Sequence, residues 1–302
     1  MNSIEYSGDR AALRTGPRPF VMVLGTAQDG GFPQAGCQDD LCNWARKDSS
    51  RQRLAACLAI VDPLTQERWL VDCTPSFPQQ LHALDQVTDP QWPLSGIFLT
   101  HAHIGHYVGL VHLGKEVMGA QKIPVHVMPR MGAFIQRDAP WKQLVTFDNI
   151  RLEGLKDHQA VQLNQRLSIT PFLVPHRDEI SETVGFLVTG PGASVMHIPD
   201  IDSWAQWEVD LAQRLAAVDV AFLDGTFFDG SELPHRALAS ISHPFLTSSI
   251  EFFQDFPVHI RNRIRFTHLN HSNPAVNPQS QAAQVVRQAG HHIASDGEIF
   301  LL

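Results

Sequence analysis

Thr100-His101-Ala102-His103-Ile104-Gly105-His106 is the stretch on which the reading of this chain turns. It closes the short apolar run Gly96-Ile97-Phe98-Leu99, which reads as a buried strand, and it precedes Tyr107 to Met118, where apolar residues recur at helical spacing. Three imidazoles therefore sit on a tight loop at the C-terminal end of a strand. Side chains alternate along extended backbone, so His101 and His103 point to the same side. His106, at the helix start, turns toward a neighbouring point. Imidazole is the commonest metal ligand, and this placing suits one ion, or two ions close together. A single histidine at a strand end would be read as a packed or surface residue. Three in one such loop are read as ligands.

Ligand-type residues recur at the same structural position along the rest of the chain. His176 follows Pro171-Phe172-Leu173-Val174-Pro175, Asp200 ends the run from Ala193, Asp224 ends the run from Val218, and His268 ends the run from Arg263. A polar residue just past a buried strand is where a rigid scaffold presents a site. Alone, each would be a cap or a turn residue; the recurrence makes them a set. Further strands are expected at 20–27, 57–62, 68–73 and 124–129, with several between 150 and 174. A hairpin is expected between 183–190 and 193–200 around Gly190-Pro191-Gly192. Helices are expected at 77–84, 205–217, 245–256 and 278–288. Strands lead and helices follow in each half, which predicts two mixed sheets with helices outside, an α/β (α+β) arrangement.

The chain has 302 residues, 43% hydrophobic and 18% charged, a globular composition that excludes a disordered or coiled-coil protein. Lys and Arg number 23 against 31 Asp and Glu, and the net charge of −8 disfavours a polynucleotide partner. No apolar run is long enough to span a membrane. The first twenty residues hold no apolar segment of the secretory kind, so a cytoplasmic protein is expected. Four cysteines at uneven spacing do not make a disulfide framework in a chain this long. His112, His126, His158, His197, His235, His259, His291 and His292 carry no motif and are read as ordinary residues.

The histidine loop resembles the hallmark His-x-His-x-Asp-His of the metallo-β-lactamase fold superfamily. Asp29-Gly30-Gly31-Phe32-Pro33-Gln34, with Cys37 and Cys42, resembles the start of the pyrroloquinoline quinone biosynthesis protein B family, as does Leu269-Asn270-His271-Ser272-Asn273-Pro274. The spacing of His176, Gly185-Phe186, Asp200 and Thr267-His268 is similar to that of the phosphodiesterase branch, which holds the tRNA 3′-processing endonucleases and a cyclic-phosphate phosphodiesterase. The resemblance implies a four-layer αββα sandwich over residues 20–302 after an N-terminal tail, residues 1–19. It also implies that His101, His103, His176 and Asp200 hold one metal, and that His106, His268 and the shared Asp200 hold a second. Zinc is implied at one or two catalytic positions, with manganese or iron as alternatives.

Gly105 stands where the superfamily motif has Asp. The second metal is therefore expected to be short of one ligand and weakly held, with Asp202 or a water as substitute, and Gly105→Asp is expected to strengthen it. The resemblance implies metal-dependent hydrolysis, phosphodiesters ahead of other esters. The rival readings are an iron-dependent oxidative role in cofactor biosynthesis and a non-catalytic metal-binding protein.

Cys37 and Cys42, separated by four residues, read on spacing alone either as a zinc pair or as two free buried thiols. The phosphodiesterase branch implies a structural zinc held by Cys37, Asp39, Cys42 and His271. The same branch implies that His243 donates a proton or holds the phosphate, with Asp224 as its orienting carboxylate. Cys57 and Cys73 are expected in the core. A small substrate is expected, its pocket shaped by loops 130–150 and 226–242. Oligomeric state is not legible in the sequence.

Overall fold

A computed structural model describes residues 5–233 and 241–302. Residues 1–4 of the expected tail lie outside the described residues, as do residues 234–240 of the expected pocket loop, His235 among them.

Fourteen strands are formed among the described residues: β1 (Phe20–Gly25), β2 (Cys57–Asp62), β3 (Glu67–Val71), β4 (Leu94–Phe98), β5 (Ile123–Val127), β6 (Ile150–Gly154), β7 (Val161–Gln162), β8 (Ser168–Leu173), β9 (Val184–Thr189), β10 (Ser194–Ile198), β11 (Val220–Asp224), β12 (Ile264–Thr267), β13 (His292–Ile293) and β14 (Ile299–Leu301). They make two seven-stranded sheets, ordered β14-β1-β2-β3-β4-β5-β6 and β13-β12-β11-β10-β9-β8-β7. Each sheet is antiparallel over one half and parallel over the other, the change falling at β3 in the first and β10 in the second.

The sequence of β1 explains the layering. All six of its residues are buried, as in a strand covered on both faces. Val21 and Val23 join Ile60 and Phe98 of the first sheet and Ile169, Phe186 and Phe222 of the second in the layer between the sheets. Phe98 and Phe186 meet across that layer edge-to-face at 5.9 Å. Phe20, Met22 and Leu24, on the alternate side, pack with Phe77, Leu84 and Ile135 of outer helices. The second sheet likewise turns Met196, Ile198 and Phe266 toward helical Leu215, Phe253 and Val286. The result is helix, sheet, sheet, helix, the four layers expected from the sequence. The segment before β1 lies against the first sheet: the Tyr6 amide donates to Ile299 O at 2.8 Å, and Leu13 is buried.

Two helices are shorter than their periodicity suggests. The 205–217 segment is helical only over Leu211–Ala216. The stretch after the histidine loop forms one α turn, Ile104–Tyr107, then a 3-10 helix, Val108–Leu113. The amide of Gly109 donates to Cys73 O at 2.9 Å, and a Cβ at Gly109 would stand 2.2 Å from Thr74 O. This close approach fastens the segment to the loop after β3. No helix among the described residues is long and apolar enough to cross a membrane.

Candidate metal centre

The loops after β1, β3, β4, β8, β10, β11 and β12 open on one edge of the sandwich, and the polar strand-end residues meet there. His101 Nε2 and His103 Nδ1 are 2.8 Å apart, and His103 Nδ1 lies 3.3 Å from His176 Nε2. Nitrogens held about 2.0–2.1 Å from one tetrahedral zinc lie about 3.3–3.4 Å from each other. Asp200 joins these three in one potential ligand group, its Oδ1 3.7 Å from His176 Nε2. Burial, reinforced by the neighbouring imidazoles, holds His101 well below the ordinary histidine value. Burial and then Arg177 bring His103 to about 4. Burial and then the His243 and His103 charges bring His176 to about 2. All three are thus uncharged at neutral pH, the form that binds metal.

Asp200 also faces a second group. Its Oδ2 lies 3.2 Å from His106 Nε2 and 3.5 Å from His268 Nε2. Burial raises Asp200 to about 7. Burial opposes a charge on His106, but Asp200, Asp72 and Asp29 outweigh it and push His106 up to about 10. The carboxylates make this a point that draws positive charge.

The space beside Gly105 corrects an expectation. Asp29, from the loop after β1, places its Oδ1 3.6 Å from His106 Nε2 and falls into one potential ligand group with His106 and His268. A Cβ added at Gly105 would stand 2.0 Å from that same Oδ1. The position opposite Gly105 is therefore filled by a carboxylate from elsewhere in the chain, and Gly105→Asp would collide with it rather than complete the group. Asp202 does not substitute there; it pairs with His176 Nδ1 at 2.9 Å.

Each remaining ring has its far nitrogen engaged. His101 Nδ1 meets Thr100 Oγ1 at 3.0 Å, His106 Nδ1 meets Asp72 Oδ2 at 2.7 Å, and His268 Nδ1 meets Thr226 Oγ1 at 2.9 Å. Such partners fix the ring and leave Nε2 for a metal. Sequence reasoning missed Asp72, Asp29 and Thr226. Asp72 carried a usable signal, since it directly follows the apolar strand β3, much as Asp200 comes just past β10 and Asp224 closes β11. It is wholly buried, and its Oδ1 accepts from the Thr100 amide at 2.8 Å.

His243 stands at the rim of the centre, grouped with Asp200 and His268. Asp224 is wholly buried and accepts from the amides of Ile201 at 3.1 Å and Thr226 at 2.9 Å. It also accepts from the Thr226 hydroxyl at 2.7 Å and meets His243 Nδ1 at 2.7 Å. Burial opposes a charge on His243, but the Asp224 carboxylate outweighs it and raises the imidazole above its usual value.

Cys37, Cys42 and His271 form a separate potential ligand group, with Cys42 Sγ 3.6 Å from His271 Nδ1. The carboxylate of Asp39 is not among them. Asp39 is exposed at the start of the helix Asp40–Arg46, and its amide donates to Cys37 Sγ at 3.4 Å. All four cysteines are free, and Cys57 and Cys73 are wholly buried. The loop bearing Cys37 is tied to the loop bearing His271: Ala27 bridges Leu269, and the Gln28 amide donates to Leu269 O at 2.9 Å.

Residues 67–291 match the family model described as the beta-lactamase superfamily domain. Coenzyme PQQ synthesis protein B of Methylorubrum extorquens (strain PA1) is 26% identical, over 92% of this chain and 98% of that one. The solved structure of Zn(2+)-bound PqqB from Methylobacterium extorquens shares the fold with a TM-score of 0.77 at 23% identity, over 94% of this chain and all (100%) of that one. A diphosphatase from the PhnP family also shares it, with a TM-score of 0.66 at 21% identity over 94% and 97% of the two chains.

Proposed function

The chain belongs to the beta-lactamase superfamily, and from that premise we propose that it is a metal-dependent hydrolase acting on a small phosphodiester or ester. The observation that carries this reading is the convergence of His101 Nε2, His103 Nδ1 and His176 Nε2 beside the His243–Asp224 pair. The donor set of neutral imidazoles and carboxylates suits zinc, with manganese or iron as alternatives. One or two ions would sit at this centre, and one structural zinc at Cys37, Cys42 and His271, the three ligands that the fold brings together there. Bound there, the catalytic ions would supply a water acidic enough to attack at neutral pH.

The chain's own residues supply the rest. Asp200 presents one oxygen to each ligand group. Asp72 and Asp202 hold their rings in the ligating orientation. His243, whose pKa Asp224 raises, protonates the departing oxygen. Arg177, whose Nη2 is 3.3 Å from His103 Nε2, brings a positive charge to the rim for an anionic substrate. Cavities of about 340 Å³ beside Asp29 and Phe227 and about 640 Å³ beside His176 and Trp207 fit a small substrate. The net charge of −8 supports the same size class over a polynucleotide.

The likeness to coenzyme PQQ synthesis protein B supports a second reading, an iron-dependent oxidative step in cofactor synthesis. One experiment separates the readings: metal analysis of protein purified without added metal, followed by assay on bis(p-nitrophenyl) phosphate and on carboxylic esters. Zinc with turnover supports hydrolysis. Iron with oxygen consumption and no hydrolysis supports the second reading. Zinc without any turnover leaves a metal-binding protein and refutes both.

A further inference from the structure

Four buried polar atoms that lack hydrogen-bond partners face one point: Asp29 Oδ1, His106 Nε2, Asp200 Oδ2 and His268 Nε2. His106 Nε2 is 3.6 Å from the first carboxylate and 3.2 Å from the second, and His268 Nε2 is 3.5 Å from the second. Buried polar groups are almost always satisfied by protein or water. Two carboxylate oxygens and two imidazole nitrogens left without partners in one place are the donor types that a cation takes.

We propose that Asp29 is the carboxylate ligand of the second metal ion, and that residue 105 is glycine because the Asp29 carboxylate occupies its side-chain space. The proposal rests on reading this edge as a two-metal centre. A Cβ at Gly105 would meet not only Asp29 Oδ1 at 2.0 Å but also Asp29 Cα at 2.6 Å. The two residues therefore cannot both carry side chains in this arrangement. The ligand has moved from the histidine loop to the loop after β1, and its backbone reflects the demand. Asp29 has φ 25°, a conformation that costs most residues energy and persists where the surroundings impose it. The surroundings here are specific. The Gly31 amide donates to Gln28 O at 2.9 Å, closing the turn around Asp29, and the Gln28 amide donates to Leu269 O at 2.9 Å. Asp29 is thereby held against the residue that follows His268, so two ligands of the proposed ion come from loops bonded to one another.

The ion so held has two imidazoles and two carboxylates, a complete set for zinc. The test is zinc titration of the apoprotein against a competing chelator, with bound zinc counted by elemental analysis and folding checked by circular dichroism. The wild type is expected to bind both centre ions tightly. Asp29→Ala and Asp29→Asn are expected to weaken one of them at least about tenfold while leaving the ion of His101, His103 and His176 unchanged. Should Asp29→Ala fail to fold, Asp29→Asn keeps the side-chain size and carries the test. Gly105→Ala removes no ligand, yet it is expected to weaken the same ion by displacing Asp29. Wild-type binding of both ions in Asp29→Asn would overturn the ligand assignment, and wild-type binding in Gly105→Ala would overturn the reason for glycine. Because ion binding is read without turnover, an inactive protein that holds two ions through Asp29 would refute the hydrolase reading and leave this one standing.

Discussion

His243 Nδ1 and Asp224 Oδ2 stand 2.7 Å apart, and the carboxylate is wholly shut off from solvent. The charge of Asp224 and its hydrogen bond both favour the charged form of His243 and outweigh the opposing effect of burial. The pair is thus built to hold a protonated imidazole at the rim of the ligand cluster.

Leaving-group chemistry tests that role. His243→Ala should lower kcat about 10²–10⁴-fold on a diester with an alkoxide leaving group. The loss should be small with p-nitrophenolate, which departs without a proton. Equal losses on both substrates would remove His243 from proton transfer. The pH profile gives a second measure. The required form is the imidazolium, so the rate falls as pH rises through the raised pKa of His243. Asp224→Asn, which deletes the raising charge, should move that alkaline limb to lower pH.

Asp72 acts through His106, by the 2.7 Å contact with Nδ1. Partners of this kind are worth about 10–100-fold in metal affinity. Asp72→Asn should cost that much at the ion of His106 and His268 and leave the ion of His101, His103 and His176 in place, as measured by zinc competition. A uniform loss at both would point to general unfolding of the edge.

Cys42→Ala should release about one equivalent of zinc and lower the melting temperature, since a structural zinc contributes folding free energy that the unfolded chain cannot recover. The loop that carries Cys37 also carries Asp29 and leads into the short helix bearing Cys42, and His271 lies three residues beyond His268. The ion at His268 should therefore weaken as well. Unchanged zinc content in this mutant would mean that Cys37 and Cys42 are packed thiols only.

His197 lies on β10 with both ring nitrogens unpaired. Burial holds it at about 3, against 6.5 for a free imidazole. It is neutral when folded and takes up a proton on unfolding below pH 6.5. Stability is therefore full above 6.5 and falls as pH drops toward 3. His197→Met should abolish that slope. Between pH 6.5 and 5 the wild type should lose about 2 kcal/mol more than the mutant in chemical denaturation. Parallel acid losses in the two proteins would refute the assignment.

The outline of the fold and most of the centre could be read from the chain alone, because both rest on short-range pattern. Strands apolar on both faces, such as Phe20–Gly25, have to be covered on both sides. Ligand-type residues just past such strands, from His101 to His268, have to reach one edge when the strands run the same way. What the chain alone did not reveal was which groups would share a point in space. The loss of Asp at position 105 looked like a missing ligand, because only neighbours in sequence could be weighed. Folding brings the loop after β1 against the loop after β4, and Asp29 enters the volume that Gly105 leaves empty. Asp72 reaches His106 in the same way, from the end of the strand beside β4. Which nitrogen each imidazole turns inward is likewise decided by partners far along the chain: Asp72, Asp202 and Thr226. Residue type and periodicity act locally, so a sequence displays them directly. A coordination sphere is a set of distances between side chains on separate loops, and only the packed sheets bring those loops together.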